Sequence, residues 1–250
     1  MNYQENNVIL MEENQPIMKF TPPECLQCKS RKSSLFHFCN LEEVENLSMA
    51  KTCASYKKGQ TIFVEGANPF GLFCINTGKV KIYKYAADGK EQIVRIVKPG
   101  DLLGYNSLLS SSRYTVSAAA LEDCVICLVP KTDITKLFKE NERFSEGLIN
   151  LLCSTIDESV EKMADMAYKP VRGRMAEALL WLYQAYKDDE NPDGIININR
   201  EDLASLVGTV KETAIRVLKE FKDDELIRAV NSDIIVLNPK GLAAVSGLYD

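Results

Sequence analysis

The sequence predicts an α+β protein in which a jelly-roll-like β-roll precedes one long helix and a winged helix-turn-helix. Short β-type runs punctuated by glycine fill residues 56–130. Apolar residues then recur at helical spacing from Leu148 to Ala167, and a tight turn at Gly208 joins two short amphipathic helices. These observations divide the chain into a cysteine-bearing arm with a short helix (1–50), a β-roll sensor domain (51–130), a long helix (131–169) and a winged helix-turn-helix (170–250).

Composition limits the class of protein. A chain of 250 residues with 46% hydrophobic content is long enough for two compact domains. No apolar run approaches the roughly 18 residues of a membrane span, so we expect a soluble, cytoplasmic protein without a membrane partner. The net charge of -5 argues against a broad surface that coats nucleic acid, and any DNA contact must therefore be local.

The arm carries cysteines among turn-forming and polar residues. Cys25 and Cys28 form a C-x-x-C pair, and Cys39 follows within the same segment. The chain has eight cysteines and no secretory signal. This combination favours reduced thiols that bind a metal or cluster, or that carry out redox chemistry, over structural disulfides.

The spacing after the arm predicts a short helix and then strands. Apolar residues three apart predict a helix over 41–50, with Asn40 as its N-cap. Between two alternating runs, the residues from Ala86 to Gly89 read Ala-Ala-Asp-Gly, which predicts a β-hairpin. The β-type runs themselves are TIFVEG, LFCINTG, KVKIYKY, EQIVRIV and CVICLV.

A long apolar seam follows the β-type region, at steps of four and three and with no Gly or Pro inside it. Two interpretations are open: the helix packs on its own domain, or it pairs with a second copy of the chain. The length of the seam favours a homodimer built on 142–168, and Lys169-Pro170 ends the helix. The seam consists of Leu148, Leu152, Ile156, Val160, Met163 and Ala167.

The C-terminal region has the pattern of a helix-turn-helix. Asn199 and Asp202 are placed to cap a helix over 200–207 that ends at Gly208. Thr209 and Glu212 predict a second capping box at the start of the next helix. Two β-type runs, LIRAV and IIVLN, flank Asn231-Ser232-Asp233 and predict a two-stranded wing.

The second of these helices has one apolar and one polar face. The outward side chains suit the reading of bases: Arg216 matches guanine, Glu212 matches the amino group of cytosine, and Ile215 matches the methyl group of thymine. The alternative is that Glu212 caps the helix and pairs with Arg216, as on any solvated helix. The inward residues are Ala214, Val217, Leu218 and Phe221. The candidate DNA-binding residues are Lys211, Glu212, Ile215, Arg216, Lys219 and Lys222.

The order of β-roll, long helix and winged helix-turn-helix resembles the Crp/Fnr family over nearly the whole chain. This resemblance implies a cyclic-nucleotide-binding-like β-roll and a homodimer that binds palindromic double-stranded DNA and acts with RNA polymerase. It also implies that Glu212 and Arg216 read a TGA core, although Lys211 and Ile215 depart from the family's usual residues. The phrases that carry the resemblance are YKKGQTIFVEG, GKVKIYKYAADGKEQIV, PGDLLGYNSLL, ALEDCVICLVP and REDLASLVGTVKETAIRVLKEF.

The resemblance offers two kinds of signal. Members that bind cyclic nucleotides carry a Gly-Glu-Leu turn, but this chain has Gly-Tyr-Asn at that point, so cyclic AMP is not expected. Oxygen-sensing members hold an iron-sulfur cluster on four thiolates. Zinc, a thiol switch or no ligand remain alternatives. The implied cluster ligands are Cys25, Cys28, Cys39 and Cys127, with Cys53 and Cys74 as substitutes for Cys39.

Two functions of other classes compete with DNA binding: control of a protein partner and enzymatic catalysis. A ligand-binding regulatory module that controls a protein partner would use the C-terminal helices only for interaction, and sequence-specific DNA binding separates it from a transcription regulator. The sequence has no Ser/His/Asp set and no phosphate-cradling glycine loop. With His37 as its sole histidine, the chain is not expected to be an enzyme.

Overall fold

The computed structural model describes residues 21–188 and 191–247. Residues 1–20 of the predicted arm lie outside these ranges. The strands within them are β1 (Thr52–Tyr56), β2 (Thr61–Phe63), β3 (Gly71–Thr77), β4 (Val80–Tyr85), β5 (Glu91–Val97), β6 (Leu102–Leu103), β7 (Ser117–Ala120), β8 (Cys124–Pro130), β9 (Ile196–Asn197), β10 (Ile227–Val230) and β11 (Asp233–Val236). The α-helices are α1 (Leu41–Ala50), α2 (Tyr105–Leu109), α3 (Lys131–Glu140), α4 (Glu142–Tyr168), α5 (Val171–Tyr186), α6 (Arg200–Val207), α7 (Lys211–Asp223) and α8 (Pro239–Gly247).

Two four-stranded antiparallel sheets form the β-roll. Their strand orders are β1-β8-β3-β6 and β2-β7-β4-β5. Ile75, Val80 and Ile126 belong to the apolar cluster that the two sheets share. The predicted hairpin joins β4 to β5, where Tyr85 pairs with Glu91 and Gly89 takes a φ of 80°. The α+β class and the jelly-roll-like β-roll are therefore confirmed.

Helices and the arm cover the other face of the first sheet. The predicted N-cap of α1 is present as a capping box: Glu43 N donates to Asn40 Oδ1 at 2.9 Å, and Asn40 N donates to Glu43 Oε2 at 2.8 Å. In the arm, Ser30 Oγ donates to the Asn76 carbonyl of β3 at 2.6 Å. The cluster beneath contains Phe36 of the arm and Phe144 of α4, so arm, sheet and long helix share one core.

The predicted long helical segment 131–169 is two helices. The chain breaks at Asn141, whose side chain caps α4 by accepting from Phe144 N at 2.9 Å. The Asn141 amide also donates to the Phe38 carbonyl at 3.2 Å, which ties the break to the arm. The second helix, α4, spans 142–168 and ends at Lys169-Pro170, as the sequence predicted.

The predicted seam on α4 needs a correction at its N-terminal end. Leu148 is fully buried against its own domain, and Leu152 packs partly against the same cluster. The exposed apolar side chains of α4 instead begin at Ile149 and continue through Ile156, Val160 and Met163. The outward stripe is thus rotated from the predicted one over the first two turns, because Leu148 is buried in the core that α4 shares with the arm and the β-roll.

The described C-terminal region consists of helices α5, α6, α7 and α8 and a wing. Helices α5, α6 and α7 enclose a core that includes Met175, Leu179 and Phe221. The predicted wing is formed by β10 and β11, and β9 adds a third strand beside β11. Within the described ranges, no helix combines the length and apolar character needed to cross a membrane.

The helix-turn-helix lies directly against the β-roll. Ser205 of α6 donates through Oγ to the Glu91 carbonyl at 2.7 Å and accepts from Ile93 N at 2.8 Å. Lys81 of β4 contacts both Glu91 (2.6 Å) and Asp202 of α6 (2.7 Å). The backbone of β5 is therefore hydrogen-bonded to α6 of the helix-turn-helix. The β-roll and the C-terminal region share a polar interface.

Candidate nucleic-acid interface and cysteine cavity

The turn between α6 and α7 is built by one cap and one glycine. Asn199 caps α6 by accepting from Asp202 N at 2.7 Å. Gly208 ends α6 in the left-handed region, with a φ of 66°. A Cβ at this position would lie 2.7 Å from Met166 Sδ of α4, so the turn also packs closely on the long helix.

The predicted capping box at the start of α7 is not formed. The N-cap is Val210, and no side chain caps it. Thr209 instead belongs to the turn, because its N–H closes onto the Ala204 carbonyl at 3.0 Å. The Glu212 side chain therefore has no capping role and remains on the outer face of α7.

Helix α7 presents the predicted outward face to solvent. Its inward residues Ala214, Val217, Leu218 and Phe221 are all buried. Within the part of the chain that the structure describes, the Arg216 side chain makes no hydrogen bond or salt bridge, and it is not paired with Glu212. Lys211 donates to Glu201 of α6 at 2.6 Å. The six exposed candidates are Lys211, Glu212, Ile215, Arg216, Lys219 and Lys222.

Two arginines that were not predicted from the sequence belong to this surface. Arg172 of α5 contacts Glu220 at 2.7 Å and Asp224 at 2.6 Å, so it neutralises acidic side chains at the end of α7. Arg200 donates to the Asn231 carbonyl at the wing turn at 2.8 Å, and its Nη1 is a buried nitrogen without a hydrogen-bond partner among the described residues. Spacing along the chain gives no signal for either role, since both depend on contacts across the fold.

Four cysteines line a cavity of about 40 Å³ between the arm and the first sheet. Cys25 accepts from Lys51 Nζ at 3.1 Å, and Cys28 accepts from Asn76 Nδ2 at 3.2 Å. The four are Cys25, Cys28, Cys74 and Cys127, which we call the cysteine cavity.

The structure does not bring Cys39 to the cysteine cavity. Cys39 is buried in the apolar cluster beneath the arm, where burial and then the nearby Glu43 carboxylate raise the pKa of its thiol to about 12. Cys74 takes the fourth position. Burial raises the pKa of Cys74 to about 12, with further contributions from Cys28 and Cys25.

Cys127 is joined to Cys53 by a disulfide across β1 and β8. This bond departs from the expectation of reduced thiols. The strand register explains it, because Cys53 lies directly opposite Cys127, and Cys127 lies opposite Cys74 on its other side. Three cysteines thus occupy one level across three neighbouring strands.

The cysteine cavity matches an iron-sulfur cluster in its donor chemistry, since four cysteines are what such a cluster needs. The present arrangement does not match it. Cys127 is bonded to Cys53, which leaves three of the four lining cysteines as free thiols. Among the described residues, no group of three or more His, Cys, Asp or Glu is arranged to hold a metal ion.

The turn that corresponds to the nucleotide-binding turn is closed by aromatic side chains. Tyr105 stands at the position where members that bind cyclic nucleotides carry glutamate, and its hydroxyl is 2.9 Å from Thr155 Oγ1 of α4 and 3.2 Å from Arg95. Tyr114 is buried and stacks on Phe63 with 4.1 Å between ring centroids. The β-roll interior at this point is therefore filled by the chain's own side chains.

Comparison with known proteins agrees with this architecture. The cyclic nucleotide-binding domain family matches residues 53–141, and the Crp-like helix-turn-helix domain family matches residues 173–245. The chain is 28% identical over 192 residues to the CRP-like cAMP-activated global transcriptional regulator of Mycobacterium tuberculosis, covering 75% of this chain and 85% of that protein.

A second relative aligns over almost the full length. The chain is 25% identical over 241 residues to the transcriptional activator protein Anr of Pseudomonas protegens, which covers 95% of this chain and 98% of that protein. The solved structure of FixK2 from Bradyrhizobium japonicum shares the fold, with a TM-score of 0.69 at 23% identity over 78% of this chain and 96% of that one. With a cyclic nucleotide-binding domain followed by a Crp-like helix-turn-helix, the chain belongs to the Crp/Fnr family of DNA-binding transcription regulators.

Proposed function

We propose that the protein binds a palindromic site with TGA half-sites, and that α7 reads it in the major groove. The observation that carries this proposal is the outward face of α7, where Arg216 has no partner among the described residues. A free guanidinium can bond bidentately to guanine, and Glu212 can accept from cytosine. Lys219 and Lys222 are exposed on the same helix and are suited to phosphate contacts.

The proposed active form is a homodimer that pairs through α4. Ile149, Ile156, Val160 and Met163 follow one another at steps of seven, four and three and are all exposed. This is the spacing of a coiled-coil seam. Pairing would bury the stripe and set two copies of α7 about one helical turn of DNA, roughly 34 Å, apart. RNA polymerase is the protein partner that the family resemblance implies.

The proposed signal is oxygen or redox state, received at the cysteine cavity. Arm, β3 and β8 each contribute cysteine there, and β8 continues directly into α3 and then α4. An iron-sulfur cluster, when bound, would supply an oxygen-sensitive centre. Cys25, Cys28, Cys74 and Cys127 are the residues available for it, and such binding requires the Cys53–Cys127 bond to be open.

A cyclic nucleotide is the alternative signal, because the Mycobacterium tuberculosis relative is named as cAMP-activated. We do not expect cyclic AMP to act here. Tyr105 replaces the glutamate that would bind ribose and bonds to Thr155 of α4 instead, while buried Tyr114 fills the adjacent interior. Another small ligand at the β-roll and action on a protein partner remain the competing functions.

One experiment tests these points together. Anaerobically purified protein is titrated with a fluorescent duplex that carries a TGA palindrome, with and without air exposure and with and without cyclic AMP, while iron, sulfide and the visible spectrum are measured. Selective binding that changes with oxidation and ignores cyclic AMP supports the proposal. Binding without sequence preference contradicts the DNA-reading role, and equal binding by oxidised and reduced protein contradicts the redox signal.

A further inference from the structure

We propose that Cys53 and Cys127 form a reversible thiol–disulfide switch that decides whether the cysteine cavity contains four thiols or three. This inference rests on the proposed redox-sensing role of that cavity and names the bond that regulates it. The Cys127 sulfur has two competing sets of partners. Cys53 lies on one side of it, and Cys74, Cys25 and Cys28 lie on the other.

The strand register holds the competing cysteines in place. Cys53, Cys127 and Cys74 occupy one level of β1, β8 and β3, which are neighbours in a single sheet. Adjacent residues of antiparallel strands have their Cβ atoms about 4.5–5.5 Å apart, so Cys127 needs no large backbone movement to exchange partners. The Cys53 and Cys127 Cα atoms are 4.1 Å apart.

The two ends of the pair differ in access. Strand β1 is the edge strand of its sheet, and Cys53 is half-buried between the exposed residues Thr52 and Ala54. Cys127 is buried and faces the cavity. An oxidant or reductant from solvent therefore reacts at Cys53 first, whereas the reaction changes whether Cys127 is available as a thiol in the cavity.

The position of the pair gives its redox state a structural effect. Lys51, two residues before Cys53, donates to the Pro23 carbonyl and to Cys25 Sγ, so the residue that joins α1 to β1 holds the arm against the cavity. Three residues after Cys127, β8 ends at Pro130 and α3 begins, and α3 leads into α4. The switch thus lies between the arm and the helix that we propose for dimerisation.

The chemistry balances with a peroxide as oxidant and a dithiol as reductant. The Cys53 thiolate attacks one peroxide oxygen, the O–O bond breaks, and Cys53 becomes a sulfenic acid as water forms. The Cys127 sulfur then attacks the Cys53 sulfur, the S–O bond breaks, and a second water leaves. Two electrons pass from the thiols to the peroxide. A dithiol returns two electrons and two protons, is itself oxidised to a disulfide, and restores both cysteines.

The test uses the full chain, with Cd²⁺ as a probe for available thiolates because this soft cation favours sulfur ligands. Wild-type protein is reduced with dithiothreitol and then treated with one equivalent of hydrogen peroxide. Thiols are counted by alkylation and mass spectrometry, cross-linked peptides are mapped, and Cd²⁺ binding is followed by thiolate-to-metal charge-transfer absorption. Cys39→Ser is the matched control, because it removes a buried cysteine that lies outside both the pair and the cavity.

We expect oxidation to protect two thiols from alkylation, to link the peptides of Cys53 and Cys127, and to weaken Cd²⁺ binding at least tenfold, all reversed by dithiothreitol. Cys39→Ser should behave like the wild type. Cys74→Ser should keep the link but lose tight Cd²⁺ binding in the reduced state. Absence of the Cys53–Cys127 peptide, or equal Cd²⁺ binding by oxidised and reduced protein, would overturn the switch.

These outcomes are separable from those of the proposed function. Iron-sulfur reconstitution plays no part in the test, so a colourless, iron-free protein can still carry the switch. If the link forms, reverses and gates Cd²⁺ while DNA affinity stays constant, the switch stands and the proposed signalling role of the cavity fails. If DNA binding responds to air although the Cys53–Cys127 link does not form, the proposed redox-sensing function stands and the switch fails.

Discussion

Lys81 of β4 lies 2.7 Å from Asp202 at the start of α6, so one ammonium group connects the β-roll to the helix-turn-helix. The same nitrogen contacts Glu91 at 2.6 Å. Burial by itself lowers the pKa of Lys81, but the hydrogen bonds to Asp202 and Glu91 outweigh that effect and raise the pKa above its ordinary value of 10.5. The positive charge is therefore more stable in the folded protein than in the unfolded chain.

Replacing Lys81 by methionine should lower the free energy of unfolding by about 2 kcal/mol, since hydrogen bonds to charged groups are worth roughly 1.5–3 kcal/mol. The side chain is only 15% exposed, so solvent screens it weakly. Because the folded pKa is raised, the deficit should be constant at neutral pH and should shrink only above about pH 10.5, when the wild-type lysine loses its proton. Urea unfolding at several pH values measures this dependence.

Lys84→Met is the matched control for that variant. Lys84 lies on the same strand and pairs with Glu65 at 3.0 Å, but both side chains are about half exposed. Such a pair should contribute at most about 1 kcal/mol. Equal losses for the two variants would show that the contact between β-roll and α6 adds nothing beyond an ordinary surface pair.

Gly208→Ala should destabilise the protein through two separate effects. A φ of 66° costs a non-glycine residue about 1–2 kcal/mol, and the added Cβ would meet Met166 Sδ at 2.7 Å. Gly59→Ala isolates the first effect, because Gly59 also has a positive φ but has nothing within 4 Å of the new Cβ. Thermal melting should show a larger loss for Gly208→Ala. Equal decreases in melting temperature for the two variants would mean that the Met166 side chain moves away from the added Cβ at no cost in stability.

The sequence predicted those elements whose residues carry a local signal. Helices α1 and α6 begin at asparagine caps, α6 ends at a glycine, and the bounds of both agree closely with prediction. Strand β7 was missed because its sequence, SAAA, has little β propensity. It is a strand because it lies between β2 and β4, where all four of its residues are buried. The break at Asn141 was missed for a similar reason, since its second partner, Phe38, is 103 residues away.

Of the two candidate sites, one could be predicted from local sequence and the other depends on contacts between distant parts of the chain. The outward face of α7 follows from helical periodicity alone, so its six residues could be chosen from sequence. The cysteine cavity could not. Cys39 follows the C-x-x-C pair in the arm but does not line the cavity, although it belongs to the same apolar cluster as Cys74. Cys74, within an apolar run, reaches the cavity through strand register. The predicted capping box at Thr209 is wrong because Thr209 belongs to the turn, where its N–H donates to the Ala204 carbonyl, and α7 begins one residue later with Val210 as its N-cap.

Val160→Glu should convert the proposed dimer to monomers. Val160 is exposed in the middle of the α4 stripe, and pairing would place two glutamates against each other in an apolar seam. Sedimentation should show a monomer, and affinity for the full palindrome should fall to that of a half-site. Ser154→Glu, an exposed position outside the stripe, should leave the dimer intact. A Val160→Glu protein that stays dimeric would place the interface elsewhere.

Arg216→Ala tests the reading helix most directly. Arg216 is exposed on α7 and has no partner among the described residues, so its removal should not destabilise the fold. Loss of a bidentate contact to guanine should cost about 1–3 kcal/mol of binding free energy and relax the preference at that base. Selection from random duplexes, followed by affinity measurement at several salt concentrations, reports both effects.

Lys222→Ala is the matched control on the same helix, because its proposed contact is with phosphate. It should weaken binding to all sequences alike and reduce the dependence of affinity on salt by about one counterion, with no change in the selected motif. Lys211→Ala should have a smaller effect, since that ammonium is already bonded to Glu201 and must leave it before contacting DNA. Recovery of the same motif by wild type and Arg216→Ala would mean that α7 does not read the guanine, even if the dimer still binds DNA.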